Sequence, residues 1–421
     1  MRIKNIHLLN YRGMEDLTVD FGPGVNLIIG DNAAGKSSLL SGLSVALAHL
    51  LTGNGEPFFH MDKEDVRAAV HPAGDATTSV EYYTPTIVEG EFEFRGGSWH
   101  YSCRKDNEVS VPHVDIPSGK AEWDKMQEMF NDNSATLPLI SYQNDERSLI
   151  PFDEAMQPDG QIERRQGYHN CLSGKPFFES VQNWCARMDY IGYKLKHEPV
   201  EYGLFKRIAS RFITELTESA DAVQVDFSPA LNRLVYSEGG NSYFIHNLSA
   251  GYQSVLCLIM ELAYRTALLN PRLDNLSSLE GVVLIDEIDL HLHPRWQWKI
   301  LGALRATFPG VQFIIATHSP IVISSAEDAK LILMEGSGTV KELPDAYGYN
   351  IGDVLELAQS SMDMPQEVMK WRREIEQALD ENDLPRAEGI VRAAEVKLGK
   401  DSSAVKRMRD FLEVNKWIVD E

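Results

Sequence analysis

Ile3, Ile6 and Leu8 alternate with polar neighbours ahead of Tyr11-Arg12-Gly13, the pattern of a half-buried strand. Leu17–Phe21 repeats that pattern and stops at the turn Gly22-Pro23-Gly24. The apolar run Val25–Ile29 reads as a fully buried strand, feeding a glycine-rich loop and a helix from about Gly35 to Leu51. Ser79–Tyr83, Ile87–Phe94 and Trp99–Arg104 predict a small antiparallel meander. Residues 110–235 are less regular, with turns around Gln157–Gly160 and helices predicted near Phe177–Met188 and Glu201–Ser219.

Sharp alternation of strand and helix patterns then returns. Leu248 opens a helix running to about Leu268, Val282–Ile285 is a strand, and Pro294–Phe308 is a helix. Gln312–Ala316 and Leu331–Met334 are further strands, the last followed by a hairpin at Gly336–Gly338. This order predicts an α/β fold with a largely parallel sheet covered on both faces. Beyond residue 350 the periodicity is helical: Val368, Trp371, Ile375 and Leu379, then Ile390, Ala394 and Leu398, then Val405, Met408 and Leu412. Three short amphipathic helices leave little room for a core of their own, so this tail is expected to need another surface.

Composition narrows the class. The 421 residues allow two or three domains. No apolar run approaches the ~20 residues of a membrane span, and residues 1–30 lack a signal pattern, so a cytoplasmic protein is expected. Cys103, Cys171, Cys185 and Cys257 form no C-x-x-C pair, which argues against a disulfide framework and a zinc knuckle. A net charge of −22 disfavours broad, non-specific binding of nucleic acid, though not one local basic groove. Arg164-Arg165 and Lys194–Lys196 are the suggestive basic clusters, and solvated surface explains them as well.

Gly30-Asp31-Asn32-Ala33-Ala34-Gly35-Lys36-Ser37, followed by Ser38, matches G-x-x-x-x-G-K-[ST] between a predicted strand and a predicted helix. Such a loop wraps phosphate with backbone amides and a helix N-terminus. Lys36 reaches the β- and γ-phosphates and Ser37 offers its hydroxyl to Mg²⁺. The strand Val282–Ile285 ends in Asp286-Glu287: the first acid is placed to hold Mg²⁺, the second to orient or deprotonate the attacking water.

Leu248-Ser249-Ala250-Gly251-Tyr252-Gln253, upstream of the acidic strand, resembles the ABC signature in the form found in RecF/SMC-type ATPases. A serine before a glycine is also an ordinary helix cap. The resemblance covers about residues 1–110 and 236–345, and it implies an ABC-type P-loop ATPase head with an antiparallel meander, whose ATP sites form between two copies of the chain. Ser249 and Gly251 would then meet the γ-phosphate of ATP held by the opposite copy. By the same resemblance His318, in Thr317-His318-Ser319-Pro320, is the switch histidine, Gln143 the Q-loop residue that also meets Mg²⁺, and Asp289 the D-loop acid. Arg12 matches an N-terminal arginine that lies close to nucleotide in these ATPases. His291 and His293 suggest a metal pair but are explained by the same loop without one. Residues 111–235, which lack sustained heptads, would form a compact inserted lid, and 346–421 a helical tail.

Many relatives carry a Toprim nuclease after the switch histidine. Leu331–Gly336 superficially resembles one of its strands, but the later Asp-x-Asp strand has only Asp363 as a near match, after no apolar strand. A nuclease of the chain's own is therefore not expected. Motifs of this kind resemble the stand-alone ATPase subunits of bacterial anti-phage systems, such as PtuA of Septu, its retron-associated relatives and AriA of PARIS. That resemblance implies ATP and Mg²⁺ as ligands, a homodimer or higher oligomer, and a separate nuclease or other effector subunit. The alternative is a RecF-like repair ATPase acting on nucleic acid directly.

Overall fold

A computed structural model describes residues 1–51, 61–72, 78–132, 134–144, 163–174, 177–336, 338–344, 346–349, 353–354, 366–381, 383–400 and 402–419. Gln157–Gly160 and Asp363 lie outside them. The chain divides into two units, Met1–Tyr349 and Asn350–Glu421.

The first unit opens with the strands β1 (Arg2–Tyr11), β2 (Met14–Asp20) and β3 (Val25–Ile29), then the helix α1 (Lys36–Leu51). β4 (Ala68–Pro72) and β5 (Thr78–Tyr82) form a two-stranded hairpin, so the Ser79–Tyr83 run does not join the meander. The meander consists of β6 (Thr86–Phe94), β7 (Gly97–Lys105) and β8 (His113–Ser118), which complete an antiparallel sheet in the order β2-β1-β6-β7-β8. α2 (Lys120–Met129) and β9 (Leu139–Gln143) follow.

Two long helices, α3 (Phe178–Leu195) and α4 (Val200–Thr217), lead to a three-stranded sheet of β10 (Val223–Ser228), β11 (Arg233–Glu238) and β12 (Asn241–Phe244). α5 (Ala250–Leu269), β13 (Gly281–Ile285), α6 (Pro294–Gln297), α7 (Ile300–Thr307), β14 (Val311–Ala316), α8 (Pro320–Ser324), β15 (Lys330–Glu335) and β16 (Thr339–Leu343) finish the unit. The helix expected over Pro294–Phe308 is thus two helices. Gln297 is held at the break by Leu292 O and by the Ser319 hydroxyl.

The central sheet runs β16-β15-β3-β14-β13-β9; all neighbours are parallel except the β15–β16 hairpin. Its strands are buried throughout at β3, β13 and β14, as largely apolar strands covered on both faces are, and the polar Asn26 and Gln312 within them are hydrogen-bonded. Ile28, Val282, Leu284, Ile314, Ala316 and Ile332 pack with α1 and the antiparallel sheet in one core. The alternate residues Leu27, Val283, Ile285, Phe313 and Ile315 are equally buried, so both faces are covered. Residues 111–235 are shared out rather than segregated: β8 completes the antiparallel sheet and β9 forms one edge of the central sheet.

α5 is pinned near its C-terminal end by Arg265, which is fully buried. Its Nε and Nη2 donate to Glu261 at 2.8 and 2.7 Å, and Nη1 donates to the carbonyls of Gly167 and His169 at 2.9 and 3.1 Å. Every face of this buried cation is answered, which is the condition for keeping it inside.

The second unit contains α9 (Gln366–Asp380), α10 (Leu384–Leu398) and α11 (Ser403–Val419). Contrary to expectation they share a core of their own: Val368, Ile375 and Leu379 meet Ala387, Val391 and Ala394, then Val405, Met408 and Leu412. The physical reason is interdigitation. Alanines at 378, 387 and 394 let the helices close on one another, with Trp371 and Phe411 packing at the margin.

Candidate functional site

Parallel pairing lines up the strand ends. Ile285 lies opposite Gln143 and Ile315, and Ala316 lies opposite Ile28. Gly30, Gln143, Asp286 and Thr317 therefore emerge together at the carboxyl edge of the central sheet, where open α/β sheets place their ligands. Backbone bonds stitch the row beyond the strands, from Asp286 N to Gln143 O at 2.7 Å and from Thr317 N to Ile28 O at 3.2 Å.

The loop after β3 turns away at Gly30, whose φ of 152° and closeness to Met334 O leave no space for a Cβ. Lys36, at the start of α1, is buried and folds back so that Nζ donates to Gly30 O at 2.9 Å and Asp31 O at 3.0 Å. Burial lowers its pKa, against the pull of Asp286, Glu287, Asp31 and Asp289. Asn32 and Ser37 are exposed, and Gly35 and Ser38 half-buried.

Asp286 is buried, while Glu287 is half-exposed and holds φ at 45°, a conformation costly for a residue with a side chain. Asp289 accepts the Thr317 hydroxyl proton in a hydrogen bond. His318 has its pKa lowered by burial first and by Lys36 second, against Asp289, Asp286 and Asp31. Gln143 is buried, with Nε2 donating to Ser141 Oγ at 2.8 Å, so its amide oxygen is turned from Ser141. Ser37, Asp286 and Gln143 carry a hydroxyl, a carboxylate and an amide oxygen, hard donors of the kind Mg²⁺ takes.

The signature turn has different neighbours. Ser249 occupies the N-cap position of α5, is exposed, and makes no side-chain capping bond. The ordinary capping role is therefore not the one its hydroxyl performs here. A Cβ on Gly251 would come within 2.7 Å of His291 O, and Tyr252 meets Trp296 edge-on with ring centroids 4.4 Å apart. Gly251 thus sits beside the loop after β13 that begins at Asp286. His293 accepts from Arg295 N–H and caps α6, and among the described residues no three His, Cys, Asp or Glu side chains group together to hold a metal ion.

Arg12 forms the tip of the β1–β2 hairpin and donates from Nε to Asp65 Oδ1 at 2.8 Å. Sequence reasoning missed Asp65, Tyr11 and Ser41, which join in one buried network beside α1. Asp65 is a single acid in a short turn, and only the folded chain brings it to Arg12.

These features define the chain's class by its fold, that of an ABC-type P-loop ATPase head, built on a mixed sheet with an antiparallel meander. The fold resembles the Smc head bound to the C-terminal winged-helix domain of ScpA, with a TM-score of 0.50, 14% identity, and 82% of this chain and 97% of that one covered. An AAA domain family matches residues 5–187, and a family described as an AAA domain, putative AbiEii toxin, Type IV TA system, matches 191–324. Within the class it is similar to the Retron Vc95 probable ATPase of Vibrio cholerae serotype O1 biovar El Tor, at 27% identity over 86% of this chain and 79% of that protein. It is also 33% identical to the Septu protein PtuA of Bacillus mycoides (strain KBAB4), over 84% of this chain but only 44% of that longer protein. Among the described residues no helix is long and apolar enough to cross a membrane.

Proposed function

We propose that this chain is the nucleotide-operated subunit of a bacterial anti-phage defence complex, hydrolysing ATP at sites shared between two copies and controlling a separate effector, a nuclease by analogy. The observation that carries the reading is one buried lysine, Lys36, among Asp286, Glu287, Asp289 and His318 at the carboxyl edge of a parallel sheet. The likeness to retron and Septu proteins supports the defence setting.

In this reading Gly30, Asn32, Gly35, Ser37 and Ser38 wrap the phosphates, and Lys36 exchanges two loop carbonyls for phosphate oxygens. Ser37, Asp286 and Gln143 would hold Mg²⁺, which supplies charge neutralisation on the phosphates when bound. Glu287 orients water and takes its proton as the γ-phosphoryl group leaves ADP. His318, kept neutral by its surroundings, donates to the γ-phosphate without adding charge. Arg12 and Asp289 flank the nucleotide. Ser249, exposed and not engaged as a cap, serves the second copy's γ-phosphate, together with the amides that begin at Gly251.

Sedimentation of Glu287→Gln protein with and without ATP-Mg²⁺ tests the composite site. A shift from monomer to dimer on adding ATP is expected. One mass in both conditions, with ATP demonstrably bound, would overturn it. Co-purification with the product of the adjacent gene tests the effector. A tight, salt-dependent complex with DNA in the absence of any protein partner would favour direct action on nucleic acid instead.

A further inference from the structure

Arg12 has an unusual backbone for an arginine. Tyr11 pairs with Met14, so Arg12-Gly13 is a two-residue hairpin loop. It is Arg12, at φ 50°, and not the adjacent glycine that takes the left-handed conformation. A non-glycine residue held there costs about 1 kcal/mol or more and persists where surrounding contacts enforce it.

The two-residue turn itself asks for positive φ at its first position, where glycine is usual, and pairing of Tyr11 with Val66 and of Arg67 N with Asn10 O holds the hairpin; Asp65 braces the arginine that stands there instead. Asp65, 6% exposed, receives Arg12 twice: the Arg12 amide donates to Asp65 O at 2.8 Å, and Nε donates to Oδ1 at 2.8 Å. The same Oδ1 accepts from Tyr11 Oη at 3.3 Å, and Oδ2 accepts from Asp62 N–H at 3.0 Å. Tyr11 Oη in turn lies 3.0 Å from Ser41 Oγ on α1, the helix that starts at Lys36. Both oxygens of the carboxylate are thus used, and through Tyr11 they fix the arginine relative to the phosphate-loop helix.

A guanidinium has five N–H donors. Asp65 engages only the one on Nε, the side chain stays 39% exposed, and among the described residues no hydrogen bond takes the terminal nitrogens, which leaves them for an anion. With Nε taken, the end-on fork of Nη1 and Nη2 is the pair left to grip a phosphate.

We propose that Asp65 is a positioning residue for nucleotide binding: it clamps the backbone and Nε of Arg12 so that the two terminal nitrogens face the phosphates of ATP. This rests on the reading of Arg12 as a nucleotide contact. A flexible arginine loses rotamer freedom on gripping its ligand, and a clamp removes that cost before binding. Asp65 touches no substrate, and its effect passes wholly through Arg12.

The test is a cycle on the full chain, reading KM for ATP, kcat and thermal midpoint for Arg12→Ala, Asp65→Ala and the double variant. Arg12→Ala is expected to raise KM roughly 10-fold, the order of one charge-assisted contact. Asp65→Ala should raise it several-fold with kcat nearly unchanged, and the double variant should match Arg12→Ala. Asp65→Asn keeps one carbonyl oxygen for Nε but sets an NH₂ against Asp62 N–H, so it should recover most of the affinity. Asp65→Ser, too short to reach Nε, serves if the alanine variant does not fold, and should behave like alanine. Parental KM in Arg12→Ala would sink the nucleotide reading of Arg12, and the clamp with it. Raised KM in Arg12→Ala beside parental KM in Asp65→Ala and Asp65→Ser would sink the clamp alone. So would Asp65 effects that multiply those of Arg12→Ala.

Discussion

The carboxyl edge of the central sheet and the core of the C-terminal unit are both well packed, but they bury opposite kinds of atom. At the strand edge Lys36, Ser141, Gln143, Asp286 and Thr317 are all buried. In the C-terminal unit the buried side chains among the described residues are apolar, and its charges form surface pairs such as Arg386–Glu381. Burying polar groups is unfavourable unless something answers them. A region that does so in a row is held for chemistry, and one that excludes them is held for shape. The contrast matches the proposal that turnover belongs to the first region, and it makes the second a test of that proposal.

The largest expected effect tests the chemical side. Glu287→Gln removes the carboxylate but neither Lys36 nor Asp286, so ATP should still bind while phosphate release falls by ~10²–10⁴-fold, the range of a lost general base. Parental turnover would remove Glu287 from the mechanism. Next comes Ser249→Arg, which sets bulk and charge where a second copy's phosphate is proposed to sit. Turnover should collapse in the pure variant and return in part on mixing with Lys36→Ala protein, since each damages a different half. Undiminished turnover in the pure variant would end the shared-site reading.

A smaller effect probes the other region. Ile375→Ala opens the core of the C-terminal unit and should destabilise that unit by about 2–5 kcal/mol, while ATP turnover stays near parental. A proportional loss of turnover would erase the division of labour. Whether the unit docks an effector is a separate matter, and deleting residues 366–421 should then weaken recruitment and spare nucleotide binding.

The smallest effect concerns His7 on the antiparallel sheet. Burial draws its pKa down, but bonds to Glu89 and Asp16 at 2.9 and 3.0 Å outweigh that and raise it. A raised folded pKa stabilises fully below the unfolded value of about 6.5 and fades as pH rises through the folded one. The melting difference between the parent and His7→Gln should therefore be larger at pH 6 than at pH 9. A constant difference would mean the histidine is not charged there.

The strand edge was legible in sequence because each of its residues follows a short apolar run: Gly30 after Val25–Ile29, Asp286 after Val282–Ile285, Thr317 after Gln312–Ala316. Local pattern and site coincide there. Asp65 was not legible, since no run precedes it and its partner lies in a hairpin far earlier in the chain. β10 and β11 are hard to read from sequence although Val223, Val225 and Phe227 alternate, because the surrounding turns dilute a six-residue signal. The tail's core was underestimated for another reason: helical periodicity gives the faces but not how closely alanines let them approach.

α5 has a mechanical consequence. Twenty residues make a rod about 30 Å long, with the exposed signature turn at one end. Near the other end Arg265 grips the carbonyls of Gly167 and His169 as well as Glu261. Neither glycine nor proline interrupts the helix between Tyr252 and Leu269, so it has no built-in hinge. The helix is therefore a stiff link between the signature turn at Ser249 and the carbonyls of residues 167 and 169.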